Sequence, residues 1–362
     1  KESSRVFPFG ILPLKTLSAV VARVKIICSL KIDEARIPQD GRFSTRFDDK
    51  DVDFRVSTFP TTLGEKVAIR ILDSTRRKTS FESLGITGKN LKVIKSAMAK
   101  SYGAILSTGP TGSGKSTTLY AILELLNKEE FNVMTLEDPV EYYMAGVNQS
   151  QVKPEIGYDF SSGLRHILRQ DPDIIMVGEI RDEETASLSV HAALTGHIVL
   201  SSLHTSNAAG AIPRLVDMGI KPFLIPPTIS AIIAQRLLRS LCEKCKKKID
   251  PKSEAQKIIL KEVEALPDAI KKDVKISDSM PFYEPVGCPR CNNTGYSGRL
   301  GAFEILEVTE ALGEIILKEP SEKRISDEAA RQGMITMKQD GILKIIRGIT
   351  SYEEIIRTTE GK

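Results

Sequence analysis

The sequence contains no tryptophan, and aromatic residues make up only 6% of its 362 positions. No stretch reaches the about 18 consecutive apolar residues that a membrane-spanning helix needs. The first residues also lack the apolar core of a signal peptide. These absences predict a cytoplasmic protein with no direct membrane span. Because the chain begins without Met, we expect it to be part of a longer protein.

An excess of charge of one sign is also missing. Lys and Arg number 51 and Asp and Glu number 47, which gives a net charge of +4. This balance is too even to indicate a polyanionic partner, so nucleic acid is a disfavoured ligand. Hydrophobic residues at 41% and charged residues at 27% are typical of soluble folded proteins. The length predicts two domains or one large one.

Hydrophobic periodicity divides the chain into four predicted segments. Helical spacing before residue 30, followed by alternating apolar residues, predicts a small α+β domain in residues 1–80, which ends in a polar linker at residues 73–80. Short apolar runs alternating with amphipathic stretches predict an α/β core with a mostly parallel sheet in residues 81–236. A cysteine-containing insert at 237–305 and a helical segment at 306–362 follow. Ligands of such sheets bind at the carboxyl ends of the strands.

One glycine-rich segment follows a predicted strand and precedes an amphipathic helix, which is the context of a Walker A phosphate-binding loop. Its glycines let backbone N–H groups surround a phosphate, and the helix N-terminus adds partial positive charge. Lys115 is predicted to reach the β- and γ-phosphates of ATP, and Ser116 to bind Mg²⁺. The predicted nucleotide-binding residues are Gly109, Pro110, Thr111, Gly112, Ser113, Gly114, Lys115, Ser116 and Thr117.

Two further strands end in carboxylates at the same predicted edge. Residues 174–177 lead into Gly178 and Glu179, where Gly178 occupies the position of the usual Walker B Asp. Glu179 is therefore predicted to act as the general base, and Glu137, after another strand, to supply the carboxylate near Mg²⁺. A helix N-cap or a solvated turn is the alternative for both.

Of the four histidines, His204 follows a predicted strand at the phosphate edge, whereas His197 precedes that strand. We therefore predict His204 to be the γ-phosphate sensor. His166 and His191 fall within amphipathic helices, where surface or packing roles are favoured.

Four of the five cysteines form two C-x-x-C pairs, Cys242 with Cys245 and Cys288 with Cys291. Two such pairs predict a tetrahedral thiolate site for Zn²⁺ with a structural role. Disulfides are the alternative, which a cytoplasmic location disfavours. Cys28, in an apolar helical segment, is predicted to be a buried thiol.

Taken together, these motifs resemble the secretion ATPase superfamily, specifically the type II secretion and type IV pilus assembly ATPases, over essentially the whole chain. In that family a glycine also stands at the Walker B Asp position. The resemblance is carried by residues 36–42, 53–57, 109–116, 137–141 (like the family's Asp box), 168–173 with 178–182, and 194–205 (like its His box).

The resemblance implies a RecA-like P-loop ATP hydrolase that assembles as a homo-hexamer and uses ATP, Mg²⁺ and Zn²⁺. It implies that Arg55 and Arg70 reach a nucleotide, with Arg165 and Arg169 as further charge. It also implies an inner-membrane platform protein and a secretion or pilus docking protein as partners, at the cytoplasmic face of the inner membrane. The upstream docking domain of the family is absent from this sequence. The cysteine element is similar to that of secretion and pilus-extension members, which disfavours a retraction motor.

Two other functions remain open at this point. RecA-like rings also translocate nucleic acid, as in DNA uptake or transfer, although the lysines of residues 244–248 resemble a solvated face more than a binding stripe. A nucleotide-gated scaffold with negligible hydrolysis is the third possibility. Salt-dependent DNA binding that stimulates ATPase activity would identify the translocase. An absence of phosphate release would identify the scaffold.

Overall fold

The computed structural model of the chain describes residues 10, 13–47, 50–73, 80–249, 254–271 and 282–359. The chain divides into two compact units, residues 1–78 and residues 79–362. Most of the polar linker predicted at 73–80 lies outside the described residues. Within the described ranges, no helix is both long and apolar enough to cross a bilayer.

The first unit combines one helix with a three-stranded antiparallel sheet. Lys25 attaches the helix to the sheet: its Nζ donates to Glu65 Oε2 at 2.7 Å and to the Glu34 carbonyl at 2.8 Å. The lysine side chain is only 1% exposed, so this cation depends on these partners to offset its desolvation. The elements are α1 (Leu17–Ile27), β1 (Gln39–Phe47), β2 (Lys50–Thr61) and β3 (Gly64–Asp73).

The second unit is built on a seven-stranded sheet with the order β12-β9-β4-β8-β7-β5-β6. Neighbouring strands are parallel except for β12, which is antiparallel to β9. The predicted α/β fold with a mostly parallel sheet is thereby confirmed. The strands of this unit are β4 (Gly103–Thr108), β5 (Val133–Glu137), β6 (Val147–Gln151), β7 (Ile174–Val177), β8 (Ile198–Leu203), β9 (Ile229–Leu241), β10 (Lys247–Ile249), β11 (Phe282–Glu284) and β12 (Tyr296–Glu307).

Helices cover both faces of this sheet. Because side chains alternate along a strand, Ile105 packs on one face with residues of α3 and α4, and Leu106 packs on the other with α5, α6 and α7. The helices are α2 (Phe81–Leu84), α3 (Gly88–Met98), α4 (Lys115–Leu126), α5 (Phe160–Ile167), α6 (Glu183–Leu194), α7 (Ala211–Asp217), α8 (Ile225–Thr228), α9 (Glu254–Glu264), α10 (Asp268–Lys271), α11 (Glu310–Lys318), α12 (Glu322–Arg331), α13 (Met337–Ile346) and α14 (Tyr352–Thr359).

Strands β9 and β12 form a long antiparallel ribbon at one side of the sheet, with Leu241 opposite Tyr296 at its far end. The boundaries predicted at 236/237 and 305/306 fall inside these two strands, so the ribbon belongs to the main sheet. Helix α14 is attached to the ribbon by Glu354, whose fully buried carboxylate accepts from Arg239 Nε at 2.9 Å and from Arg357. The cysteine pairs therefore extend from the ends of core strands.

Candidate nucleotide site at the carboxyl edge of the sheet

The loop between β4 and α4 has the backbone that a phosphate-binding loop requires. Gly109, Gly112 and Gly114 have φ values of +145°, +77° and +94°, a region that favours glycine. A Cβ at Gly109 would lie 2.6 Å from the carbonyl oxygen of Gln235, whereas one at Gly112 would meet open space. The loop therefore exposes backbone N–H groups at a helix N-terminus, which is an anion-binding arrangement.

Lys115, the first residue of α4, lies folded over this loop. Its Nζ donates to the carbonyl oxygens of Gly109 at 2.8 Å and Pro110 at 3.4 Å. Burial lowers the pKa of Lys115, while the carboxylate of Glu179 acts to raise it. Ser116 and Thr117, in the first turn of the helix, are exposed, so their hydroxyls are accessible to a ligand.

The residues present fit a bound Mg²⁺ nucleotide. The hydroxyls of Ser113 and Thr118 are buried without a hydrogen-bond partner among the described residues, which is unusual in a folded protein. Both flank Lys115 in the loop and the first turn of α4. Hydroxyl, ammonium and N–H groups are the donors and ligands that phosphates and Mg²⁺ require.

Glu179 and His204, which were predicted separately, contact each other. His204 Nε2 lies 2.9 Å from Glu179 Oε2, and Arg181 forms a hydrogen bond with Oε1 of the same carboxylate. Burial acts to raise the pKa of Glu179, but the bonds to Arg181 and His204 outweigh it and hold that pKa below its ordinary value. The carboxylate is therefore ionised at neutral pH.

The order of strands explains how this pair reaches the phosphate loop. Strand β8 lies between β4 and β7, and the hydroxyls of Thr108 and Thr205 are 2.6 Å apart at the carboxyl ends of β4 and β8. His204 thus follows the strand beside the loop and reaches across to Glu179 after β7. Lys115, His204 and Glu179 lie along one edge of the sheet.

Gly178 occupies a place where a side chain would be crowded. A Cβ there would lie 3.3 Å from the carbonyl oxygen of Leu136, which is tighter than most Cβ contacts, and 3.4 Å from Glu137 Cα. The Gly178 N–H also donates to the Leu136 carbonyl at 2.8 Å. The turn after β7 therefore packs against β5, which leaves little room for a side chain at this position.

Glu137 ends β5 at the carboxyl edge of the sheet, and neighbouring side chains hold its carboxylate. Its side chain is buried and accepts hydrogen bonds from Tyr120 Oη, Thr135 Oγ1 at 2.6 Å and Gln149 Nε2 at 3.3 Å. Burial raises the pKa of Glu137 despite these bonds. Strand β5 lies three places from β4, about 14 Å at the usual strand spacing. None of the described hydrogen bonds joins Glu137 to the phosphate loop, so its role near Mg²⁺ stays a prediction.

The predicted arginines fall in both units. Arg55 and Arg70 are direct cross-strand neighbours on β2 and β3, and Arg42 lies opposite Arg55 on β1. Arg165 on α5 forms an ion pair with Glu184 on α6, and Arg169 is exposed after α5. The three arginines of the first unit therefore lie side by side across its sheet, and the role of Arg55 and Arg70 at a nucleotide stays a prediction.

The four paired cysteines come together at the end of the ribbon. Their four sulfur atoms lie within 4.8 Å of one another, with Sγ separations of 3.9 Å for Cys242 and Cys288, 3.8 Å for Cys245 and Cys291, and 3.7 Å for Cys288 and Cys291. Zn–S bonds of about 2.3 Å in a tetrahedron place sulfurs about 3.8 Å apart. The donor set therefore fits Zn²⁺. Cys28 is buried.

Backbone donors also suit this cluster to thiolate chemistry. Burial acts to raise the pKa of Cys291, but N–H groups of Cys288 and Gly295, each 3.2 Å from its Sγ, together with hydrogen bonds to the Cys288 and Cys245 thiols, lower that pKa to about 6. Burial raises the pKa of the neighbouring Cys245 thiol. A thiolate is the form that binds metal.

Replacing Cys291 by Ser should remove the metal and destabilise the end of the ribbon, because the metal joins loops with little apolar core of their own. We expect about one Zn²⁺ per wild-type chain by elemental analysis, little in the variant, and a melting temperature lower by several degrees. Cys28→Ser is the matched control, since it makes the same chemical change outside the cluster. Equal metal content in both variants would contradict the site.

Sequence reasoning missed two polar residues of β9. Gln235 Nε2 donates to the Ser113 carbonyl at 2.9 Å, and the guanidinium of Arg236 donates to the Ser206 carbonyl at 3.2 Å. The signal was present, because Gln235 and Arg236 directly follow the apolar run 231–234 of β9. A buried glutamine beside a half-buried arginine in a core strand indicates that these side chains have specific partners.

Fold and loop together define a P-loop protein of the α/β class, and comparison with known proteins identifies the family. The family model described as "Type II/IV secretion system protein" matches residues 11–357. The chain therefore belongs to that family.

Individual relatives agree with this assignment. The chain is 45% identical over 346 residues to the Type II secretion system ATPase E of Vibrio cholerae, covering 96% of this chain and 66% of that protein. It is 45% identical over 348 residues to the Type IV pilus assembly ATPase PilB of Myxococcus xanthus, covering 96% and 60%. The chain thus spans slightly less than two thirds of the length of these relatives.

Among solved structures, the pilus retraction motor PilT with bound ADP superposes with a TM-score of 0.64 at 27% identity, covering 89% of this chain and 77% of that one. The Legionella pneumophila ATPase DotB gives a TM-score of 0.65 at 23% identity, covering 96% and 84%. The second likeness concerns the fold alone.

Proposed function

We propose that this chain is the motor portion of an ATP hydrolase that powers pseudopilus or pilus assembly and protein export. The observation that carries the proposal is the alignment of Lys115, His204 and Glu179 along the carboxyl edge of the sheet, beside a glycine loop at a helix N-terminus. Relatives named as a secretion ATPase and a pilus assembly ATPase support the same activity.

In this proposal the loop N–H groups and Lys115 bind the β- and γ-phosphates, and Ser116 would hold Mg²⁺, which neutralises phosphate charge when bound. Glu179 accepts a proton from the attacking water. His204 senses the γ-phosphate, the role predicted from the sequence, and its contact with Glu179 also orients that carboxylate. The water oxygen bonds to the γ-phosphorus as the bond from that phosphorus to the bridging oxygen breaks, which releases ADP and phosphate. The carboxylate later returns its proton to solvent.

The wider assembly is also part of the proposal. We propose a homo-hexamer at the cytoplasmic face of the inner membrane, with a platform protein and a docking protein as partners and with Arg55 and Arg70 supplying charge to nucleotide phosphates. The 45% identical relatives, a secretion ATPase and a pilus assembly ATPase, favour secretion or pilus assembly over retraction, since the retraction motor is only 27% identical. The four-cysteine cluster would hold Zn²⁺ in a structural role.

An ATPase assay with and without single- and double-stranded DNA, at low and high salt, tests whether the motor acts on protein or on nucleic acid. The proposal predicts turnover that DNA leaves unchanged, because the net charge is only +4. Stimulation by DNA that disappears at high salt would instead identify a nucleic-acid translocase. A complete lack of phosphate release under either condition would favour a nucleotide-gated scaffold.

A further inference from the structure

Arg236 follows Gln235 in β9, and the side chain of Gln235 forms a hydrogen bond to the phosphate loop. Gln235 is 1% exposed, and both ends of its amide are occupied: Nε2 donates to the Ser113 carbonyl at 2.9 Å, and Oε1 accepts from Ser107 Oγ at 3.3 Å. Because successive side chains of a strand point to opposite faces, Arg236 leaves β9 on the other face. Its side chain therefore takes no part in the hydrogen bonds of the Gln235 amide to Ser113 and Ser107.

The guanidinium of Arg236 crosses the end of the loop strand. Its Nη2 donates to the Ser206 carbonyl at 3.2 Å, and its Nη1 to the Gln235 carbonyl at 3.3 Å. Strand β4 lies between β9, which carries Arg236, and β8, which precedes Ser206. The side chain must therefore pass over the carboxyl end of β4, where the phosphate loop begins.

The charge of Arg236 has no close anionic partner in the described part of the chain. The hydrogen bonds given above go to carbonyl oxygens, and none of the described ion pairs includes this arginine. Glu304 is the carboxylate that acts on it, but Glu304 is itself buried and accepts from the Ala208 N–H at 2.9 Å. A half-buried cation without a paired anion is costly, so the arrangement favours an anionic ligand.

Arg236 and Lys115 act on the same site. Burial lowers the pKa of Lys115, and the nearby positive charge of Arg236 lowers it further. Two cations that repel each other across a glycine loop are stabilised together by a polyphosphate. Ser206 also follows His204 by two residues, so the guanidinium lies toward the end of the site that holds the predicted base.

We propose that Arg236 binds the terminal phosphate of ATP within the same chain and thereby makes the site prefer a triphosphate to a diphosphate. The inference rests on the proposed ATPase function and adds a substrate-contacting residue to it. Lys115 and the loop N–H groups hold both nucleotides by the β-phosphate, whereas Arg236 contacts a group that only ATP carries.

The test compares binding of a non-hydrolysable ATP analogue and of ADP, each with Mg²⁺, to the whole chain. Arg236→Gln replaces the cation by an uncharged polar side chain, and because the hydrogen bonds it loses go to two carbonyl oxygens at a half-buried position, the fold should be retained. We expect this variant to bind the ATP analogue about tenfold more weakly or worse, the usual effect of losing a charge-assisted hydrogen bond, with ADP affinity changed less than about twofold. Arg236→Lys should give an intermediate loss.

Arg324→Gln is the matched control, because Arg324 forms a surface ion pair with Glu319 at 2.9 Å and both side chains are 56% exposed. This control should bind both nucleotides like the wild type. Equal weakening of both nucleotides by Arg236→Gln, or no weakening, would overturn the role of Arg236 and leave the proposed function standing. Failure of the wild-type chain to bind either nucleotide would overturn both.

Discussion

Replacing Lys115 by Ala should abolish measurable ATP binding and lower ATP turnover by at least about a hundredfold, since that is the cost of losing one positioned charge on a transferring phosphoryl group. The reason is local. Lys115 Nζ is held over the loop by the Gly109 and Pro110 carbonyls, so the ammonium is already in place before a phosphate arrives. Equilibrium binding of labelled ATP and the phosphate release rate measure the two effects.

Lys128→Ala is the matched control for this change. Lys128 lies just beyond the other end of α4, is 62% exposed, and is 3.9 Å from the carboxylate of Glu130. The same lysine-to-alanine change there should leave binding and turnover within about twofold of the wild type, because surface ion pairs contribute little. ATP binding retained by Lys115→Ala would show that nucleotide binds elsewhere.

Replacing Glu179 by Gln should leave ATP binding intact and lower kcat by about two to four orders of magnitude, the range expected for loss of a general base. The amide keeps the size of the carboxylate and can still accept from Arg181, so the fold should be unaffected. Glu130→Gln, at a carboxylate that is 67% exposed, is the control. Unchanged turnover in Glu179→Gln would remove Glu179 from the role of base.

The pKa of Glu179 adds a second readout for the same residue. Burial acts to raise this pKa, but the bonds to Arg181 and His204 hold it below the ordinary value of 4.5. The base is therefore already deprotonated above that value, and kcat should show no acid limb from Glu179 between about pH 5 and pH 8. An acid limb that disappears in Glu179→Gln would contradict this assignment of the pKa.

The phosphate loop could be predicted from the sequence because its parts are contiguous. Strand, glycines, Lys115 and helix follow one another within residues 103–126, and each glycine is required by backbone geometry that only glycine adopts freely. The cysteine pairs were predictable for a similar reason, since each C-x-x-C pair is local. The two pairs begin 46 residues apart in the sequence. They could be assigned to one site because Zn²⁺ binds four thiolates in a tetrahedron.

The contacts between distant strands could not be predicted in this way. Glu179 and His204 were each recognised at a strand end, but their 2.9 Å contact depends on β8 lying next to β7 in the sheet. Glu137 also ends a strand, yet Tyr120 from α4 covers it. A strand end indicates which edge a residue occupies, and the packing of the neighbouring helix decides whether its carboxylate is free.

The predicted boundaries of the cysteine segment were also drawn without knowledge of which strands pair, because composition does not show long-range contacts. Residues 237–305 are unlike the core in composition, but Leu238 and Leu300 pair across β9 and β12 and are buried against α13 and α14. Composition reflects the lysine-rich loops, whereas hydrogen bonding places both strands in the main sheet. Gln235 and Arg236 were missed because their partners, the Ser113 and Ser206 carbonyls, lie 122 and 30 residues away in the sequence.

The central claim is that the carboxyl edge of the seven-stranded sheet hydrolyses ATP, and steady-state phosphate release from Mg²⁺-ATP by the wild-type chain tests it most directly. The prediction is a saturable release that requires Mg²⁺ and is lost in both Lys115→Ala and Glu179→Gln, although only the first variant loses ATP binding. Release that continues unchanged in both variants, or no release from a wild-type chain that binds ATP, would contradict it.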